Sequence, residues 1–127
     1  MTRTAVDIAR DFWALMQTND FASVADILAP DFVLEWPQTS ERIRGGERFV
    51  RMNAEYPAHG RWQFTVNRIV GGEREAVSDV SITDGVQHAR AITFFEVADG
   101  RVQRVVEYWP EPYGAPANRA HLVERMD

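Results

Sequence analysis

Glu107 suggests chemistry because its carboxylate stands beside two large aromatic residues in the segment RVVEYWP at residues 104–110. The segment has the character of a β-strand that ends at a proline. In an aromatic pocket, loss of hydration would raise the pKa of the carboxyl group and suit it to act as a general base or to position water. The alternatives are a structural partner of an arginine and a carboxylate at the solvated edge of a strand.

Three further polar residues could act together with Glu107. Arg90 could bind an anionic group through two hydrogen bonds or hold the Glu107 carboxylate, or it could pair with a glutamate on the outer face of a sheet. Asp79 interrupts an alternating apolar segment, so we expect it inside or in a cross-strand pair. His88 can titrate near neutral pH, although its place beside a predicted turn also fits a rim position without a chemical role. An inward Glu107 implies an inward cation or hydrogen-bond donor, since a buried carboxylate needs a partner or must be neutral.

Composition excludes several kinds of site. The chain has no cysteine, which rules out disulfides, thiolate nucleophiles and cysteine-ligated metals. It also has no lysine, since all 14 basic residues are arginine, so Schiff-base catalysis on lysine and a P-loop phosphate site are excluded. The histidines at positions 59, 88 and 121 lack the spacing of metal ligands. We therefore expect no metal site and no cofactor.

Length and charge indicate the class of protein. The 127 residues suffice for one domain, which we expect to span residues 1–127. The formal net charge of −5 argues against nucleic acid or an anionic membrane as a partner. No apolar run approaches the ~20 residues of a membrane span, and no secretory segment follows Met1. The expected location is the cytoplasm.

The N-terminal half is patterned for helices. Apolar residues recur at helical spacing over residues 4–17, and Asn19-Asp20 can cap a second, short helix. Residues 29–37 then take on extended character and end at a proline. Gly45-Gly46, at the end of a charged loop, opens a third helix that also ends before a proline. A short final helix could begin at Ala117.

From residue 61 onward the apolar pattern has a period of two, which is typical of strands. Aspartate–glycine pairs between alternating segments are strong signals for hairpins. Helices followed by antiparallel strands predict an α+β fold. Neither of the last two segments has one purely apolar face, so periodicity alone leaves the inner face of the sheet open. The four candidate strands lie within residues 61–72, 75–85, 86–100 and 101–110.

The order of these elements resembles the nuclear-transport-factor-2-like superfamily, specifically its SnoaL-like branch. Three passages carry the resemblance: NDFASVADILAPDFV, where helix passes into strand, RIRGGERF, where the third helix starts, and ADGRVQRVVEYW near the end. The resemblance as a whole covers about residues 4–113. The resemblance implies an α+β fold in which N-terminal helices pack on a strongly curved mixed or antiparallel sheet and form a cone-shaped pocket.

The resemblance also implies which side chains line that pocket. Alignment with the ketosteroid isomerases of the superfamily predicts which side chains of the last two strands face inward. They are Arg90, Ile92, Phe94, Val105, Glu107 and Trp109. On the first strand it turns Trp36 inward, and Asn53 on the third helix faces the same cavity. The expected ligand-binding residues are Arg90, Trp109, Trp36, Phe12, Asn53, Tyr56 and Phe94.

The ketosteroid isomerase mechanism does not carry over to this sequence. Its phenolic donor, its general base and its protonated carboxylic acid fall near Phe12, Trp36 and Ile92. None of these side chains can perform the required task, so that chemistry is rejected.

Two other sites of the superfamily match in part. Its epoxide hydrolases use an arginine flanked by two aspartates to activate water, and Asp79, Arg90 and Glu107 on three adjoining strands could supply a similar set. The second acid of the family motif is missing, because Ile92 stands two residues beyond the arginine. His88 with Asp79 could resemble the polar groups of SnoaL-type cyclases.

We therefore expect a pocket for a small, mainly apolar organic molecule. Glu107 with Asp79 or His88 would exchange a proton, and Arg90 would orient the ligand or the carboxylate. Water addition, isomerisation and cyclisation are the fitting reactions, and the alternative is a non-catalytic ligand-binding or accessory domain. The resemblance further implies a homodimer through the outer face of the sheet, where Val102 or Val106 would be available.

Overall fold

The computed structural model describes residues 3–126. Helix α1 spans Ala5–Gln17 and begins with a capping box, in which the side chains of Thr4 and Asp7 accept hydrogen bonds from each other's backbone N–H groups. A 3₁₀ helix follows at Phe21–Ile27, so the predicted second helix is confirmed. The residues of α1 that face the core are Ala5, Ile8, Ala9, Phe12, Trp13 and Met16.

Helix α2 spans Gly46–Glu55, as the glycine pair predicts. Gly45 precedes it with a φ of 88°, a conformation that glycine adopts without strain. The Gly45 N–H donates to the carbonyl of Phe32 at 2.8 Å, which ties the start of α2 to the first strand. A short 3₁₀ helix at Ala117–Leu122 lies close to the end of the chain. In the described part of the chain, neither long helix is long and apolar enough to span a membrane.

Six strands form one mixed sheet, and the α+β fold class is confirmed. Strands β1 and β6 run parallel, and every other neighbouring pair is antiparallel. The order across the sheet is β2-β1-β6-β5-β4-β3. The strands are β1 at Leu28–Trp36, β2 at Glu41–Arg44, β3 at Gln63–Gly71, β4 at Glu75–Thr83, β5 at His88–Ala98 and β6 at Arg101–Tyr108.

Strand β2 is the element that the sequence pattern does not predict, since its four residues ERIR read as a charged loop. It pairs with β1 at the edge of the sheet. Its only apolar residue is Ile43, so it has no alternation to detect. Arg42 instead binds Glu35 on β1 through Nε to Oε2 at 2.8 Å. A charged contact, not an alternating apolar pattern, therefore accompanies the pairing of this strand with β1.

Two aspartate–glycine pairs make the predicted hairpin turns. Asp99 and Gly100 join β5 to β6 with φ angles of 53° and 75°, which suits a tight turn between antiparallel strands. At the β4–β5 turn Asp84 is buried, and its carboxylate accepts backbone N–H groups from His59, Val86 and Gln87. Burial opposes ionisation, but these donors outweigh it and hold the pKa of Asp84 well below its usual range. Asp84 thereby ties the loop after α2 to this turn.

The inner face of the sheet packs against α1. Phe95 on β5 lies edge-on to Phe12, with ring centroids 5.1 Å apart, and is 1% exposed. The indole N–H of Trp13 donates to the hydroxyl of Ser78 on β4 at 2.9 Å. This hydrogen bond satisfies both buried polar groups and fixes the position of the Trp13 ring.

The alignment-based orientation of β5 is wrong by one residue. Glu107 on β6 lies opposite Thr93 on β5, and residues directly opposite share a face of the sheet. Ala91, Thr93 and Phe95 are buried inside, whereas Arg90 and Phe94 are exposed on the outer face and Ile92 is half-buried there.

On β6 the expected inward orientation of Glu107 and Val105 is confirmed, since both are buried. Val102 is also buried in the core, so its expected availability at the outer face is wrong. Val106 has the opposite parity to Val105 and Glu107 and lies on the outer face opposite Phe94, and a register shift in the β5–β6 pairing separates it from Val102.

Candidate acid–base pocket

A cavity of about 800 Å³ lies between the inner face of the sheet and helices α1 and α2. Large apolar side chains from every side line it, which is the usual makeup of a small-molecule site. The apolar lining comprises Phe12, Trp13, Met16, Trp36, Phe49, Met52, Trp62, Phe64, Ile82, Ala89 and Trp109. The polar lining comprises Gln38, Thr39, Glu41, Asn53, Tyr56, Gln87, His88, Glu107 and Glu111.

Glu107 lies in the wall of this cavity and is 6% exposed. Its two carboxylate oxygens have separate donors. Oε1 accepts a hydrogen bond from the indole Nε1 of Trp36 at 3.0 Å, and Oε2 accepts one from the hydroxyl of Thr93 at 2.7 Å. The strand order brings these residues together, because β6 lies between β1 and β5.

The environment of Glu107 favours the protonated carboxyl group. Burial in the apolar wall raises the pKa of Glu107 above its ordinary value, and the hydrogen bonds from Thr93 and Trp36 only partly offset that rise. Both donors are neutral, and in residues 3–126 no arginine forms an ion pair with this carboxylate. Glu107 therefore keeps its proton to a higher pH than an exposed glutamate does.

Six of the other sequence-predicted site residues also line the cavity: Phe12, Trp36, Asn53, Tyr56, His88 and Trp109. Of these, Phe12 is fully buried, whereas Tyr56 and His88 are exposed at the mouth. Asn53 donates from Nδ2 to the carbonyl of Phe49 within α2 at 2.9 Å. Gln38 fixes the backbone of Trp109, accepting its N–H at 2.6 Å and donating to its carbonyl at 3.2 Å.

Asp79, Arg90 and Phe94 do not line the cavity, so their expected place in it is wrong, whereas the alternative of a cross-strand pair for Asp79 is confirmed. The Arg90 guanidinium binds the Asp79 carboxylate on the outer face through two hydrogen bonds, one of them from Nε to Oδ1 at 2.7 Å. The hydrogen bond from Arg90 lowers the pKa of Asp79 below its ordinary value. An Asp79–Arg90–Glu107 set is therefore not assembled, because the sheet separates the pair from Glu107.

Thr93 is one of the site residues that sequence reasoning missed, together with the lining residues Gln38, Glu41 and Glu111. Its position on β5 belongs to the set Ala89, Ala91, Thr93 and Phe95, which the apolar pattern could not distinguish from its neighbours. The informative signal is the hydroxyl itself, because a threonine between buried apolar residues needs a hydrogen-bond partner. Glu107 on the adjacent strand provides that partner.

The cavity wall offers no arrangement for a metal ion. Across residues 3–126, no three histidine, aspartate or glutamate side chains converge as metal ligands. What the arrangement can do chemically is transfer a proton between the Glu107 carboxyl group and an organic molecule bound against the aromatic walls.

Many solved structures are similar to this chain, and they include the following three. A protein from Kribbella flavida DSM 17836, described provisionally as a ketosteroid isomerase, is 41% identical with a TM-score of 0.86, over 94% of this chain and 87% of its own. An NTF-2 like protein of unknown function from Burkholderia xenovorans LB400 is 25% identical with a TM-score of 0.78, over 94% and 93% of the two chains.

The third structure is a Catenulispora acidiphila DSM 44928 protein with a ketosteroid isomerase-like fold, solved in complex with trimethylamine. It is 11% identical with a TM-score of 0.69, over 83% of this chain and 85% of its own, so it shows the fold alone. The search of curated proteins found no match. The SnoaL-like domain family matches residues 9–105, most of the chain. The chain therefore belongs to the SnoaL-like domain family, within the nuclear-transport-factor-2-like superfamily.

Proposed function

We propose that this SnoaL-like protein is an acid–base enzyme, in which Glu107 transfers the proton to and from a small, mainly apolar organic molecule held in the cavity. The observation that carries the proposal is a buried carboxyl group in the cavity wall whose partners within residues 3–126 are two neutral donors. A raised pKa brings such a group closer to the pH at which it can both accept and donate a proton.

Isomerisation by a single carboxyl group is the reaction that this wall supports best. One carboxylate can remove a proton from carbon and return it to another atom of the same molecule. Water activation by an arginine between two acids is not supported, because Arg90 and Asp79 face away from the cavity. His88 is exposed at the mouth and is the remaining candidate for a second proton carrier.

The test of this role is Glu107→Gln, compared with Asp79→Asn as the matched control. Glutamine has the same shape and can still accept from Trp36, but it cannot exchange a proton at this position. We expect turnover of an identified substrate at saturating concentration to fall by about 10²- to 10⁴-fold in Glu107→Gln. Turnover in Asp79→Asn should stay close to wild type. Undiminished turnover in Glu107→Gln would remove the catalytic role.

A non-catalytic ligand-binding domain is the second candidate function. It is favoured by the single buried titratable group in a cavity whose other polar residues lie largely at the mouth. A ligand recovered chemically unchanged after long incubation with the protein would support this function, whereas slow conversion would support catalysis.

We also propose that the chain forms a homodimer through the outer face of the sheet. Val70, Val77, Phe94 and Val106 lie in one row across four strands on that face, and Phe94 is 43% exposed. Apolar side chains that are exposed in a continuous row favour association. Light scattering at micromolar concentration should give twice the chain mass, and a monomer would remove this part of the proposal. The cytoplasmic location stays a prediction.

A further inference from the structure

The cavity wall contains several carboxyl groups and no arginine among its described residues. Three carboxyl groups line it, on Glu41, Glu107 and Glu111, and none of the described lining residues is an arginine. This is notable in a chain with 14 arginines. The one histidine of the wall, His88, is exposed at the mouth.

The arginines form their ion pairs away from the cavity wall. Arg104 and Arg42 bind Glu35, and Arg90 binds Asp79, all of them on the outer face. By contrast, neither Glu41 nor Glu111 forms an ion pair with another residue of the described chain. The carboxylates of Glu41 and Glu111, and that of Glu107 once it is ionised, are therefore left without an arginine partner among the described residues.

Aromatic side chains line the same cavity as these carboxyl groups. Glu41 lies directly opposite Trp36 on the β1–β2 pair, and Trp36 donates its indole N–H to Glu107. Trp109 follows Glu107 by two residues and so has the same parity, while Gln38 fixes its backbone. Indole faces attract cations through their quadrupole, and they do so best where water is excluded. Fixed rings and nearby carboxylates together make a site for a positive charge with an apolar surround.

We propose that the molecule bound in this cavity carries a cationic organic amine, such as a tertiary or quaternary ammonium group, on an apolar body. This inference rests on the cavity as the ligand site, and it does not depend on catalysis by Glu107. An anionic ligand would meet three carboxyl groups without a neutralising arginine. A neutral ligand of the same shape would use the apolar walls but not the cation–π and charge interactions.

Three probes of matched shape test the charge preference: benzyltrimethylammonium, its carbon isostere neopentylbenzene, and the anion benzylsulfonate. Binding can be followed by tryptophan fluorescence, because Trp13, Trp36, Trp62 and Trp109 all line the cavity. At mildly alkaline pH we expect the ammonium probe to bind about tenfold tighter than the isostere, and benzylsulfonate to bind most weakly. Equal affinity for the isostere, tighter binding of benzylsulfonate, or no binding of the ammonium probe at millimolar concentration would each overturn the proposal.

Variants identify which carboxyl groups cause the cavity to bind the ammonium probe more tightly than its neutral isostere. Glu107→Gln should reduce the preference for the ammonium probe over its isostere by about tenfold, with the affinity for the isostere unchanged. The double variant Glu41→Gln/Glu111→Gln, at exposed positions that folding tolerates, should also reduce the preference for the ammonium probe over its isostere. Glu75→Gln is the control, since this exposed glutamate lies outside the cavity wall. An unchanged preference in both cavity variants would contradict the assignment.

The result can be separated from the catalytic proposal. Loss of turnover in Glu107→Gln together with equal affinity for ammonium and isostere would overturn the cationic ligand alone. A strong ammonium preference together with full turnover in Glu107→Gln would overturn the catalytic role alone.

Discussion

The two faces of the sheet place their carboxylates in opposite environments. On the outer face Asp79 is paired with Arg90, and this hydrogen bond lowers its pKa. On the inner face Glu107 is buried beside a threonine and a tryptophan, and loss of hydration raises its pKa. An arginine keeps a carboxylate charged at every working pH, whereas neutral donors in an apolar wall leave its proton exchangeable. The difference indicates why the inner residue is the candidate for chemistry.

The two shifts also have opposite consequences for stability. Asp79 has a lowered pKa in the folded state, so its contribution is present above its ordinary pKa of 3.8 and is lost as the pH falls through the folded-state value. Glu107 has a raised pKa, so its contribution is present below its ordinary value of 4.5 and is lost as the pH rises through the folded-state value. Burial of Glu107 therefore costs stability at high pH, which is common where a group is kept for function.

The largest expected contrast is between Phe95 and Phe94, neighbours on β5 with opposite orientations. Phe95→Ala should lower the free energy of unfolding by about 3–5 kcal/mol, because the ring packs on Phe12 and Trp13 and leaves a cavity when removed. Phe94→Ala should cost less than about 1 kcal/mol within one subunit, since this ring is 43% exposed.

Denaturant unfolding at one low protein concentration measures both variants without a contribution from association through the outer face. The reverse ranking would mean that β5 has the orientation implied by alignment, and the description of the inner face would fail.

A smaller effect is expected from Thr93→Val, which removes one of the two donors to Glu107 while keeping the shape of the side chain. The free energy of unfolding should fall by about 1–3 kcal/mol at pH values where Glu107 is ionised, and by less where it is protonated. The pKa of Glu107 should rise further, because the lost hydrogen bond favours the ionised form. Ser81→Ala, on the outer face of β4, is the control and should change little. Equal losses in the two variants would show that Thr93 has no special bond to Glu107.

Much of the fold could be predicted from the sequence, because each long element follows a strong local rule. Helical spacing over Ala5–Gln17, the glycine pair before α2 and the Asp99-Gly100 turn all have direct physical causes in the residues themselves. Strand β2 could not be predicted, since its bonds to β1 depend on charges that come together only in the folded sheet.

The site was predictable only in part, for the same reason. Glu107 was identified because a carboxylate beside aromatic residues is unusual in a strand. The inner face of β5 could not be assigned in the same way, because both parities combine polar and apolar residues. One parity has Arg90, Ile92 and Phe94, and the other has Ala91, Thr93 and Phe95. Local alternation assigns a face only when one parity is clearly more apolar. The register between β5 and β6, a long-range feature, decides which set meets Glu107.

The most direct test of the account is the pKa of Glu107 itself. Carbon-13 NMR of glutamate side chains across a pH titration can follow each carboxyl group, and the resonance missing in Glu107→Gln identifies this one. The account predicts that the Glu107 carboxyl group titrates above its ordinary value of 4.5, with no arginine needed to explain the curve. Titration at or below 4.5 would contradict it, because Glu107 would then be a permanently charged structural group like Asp79.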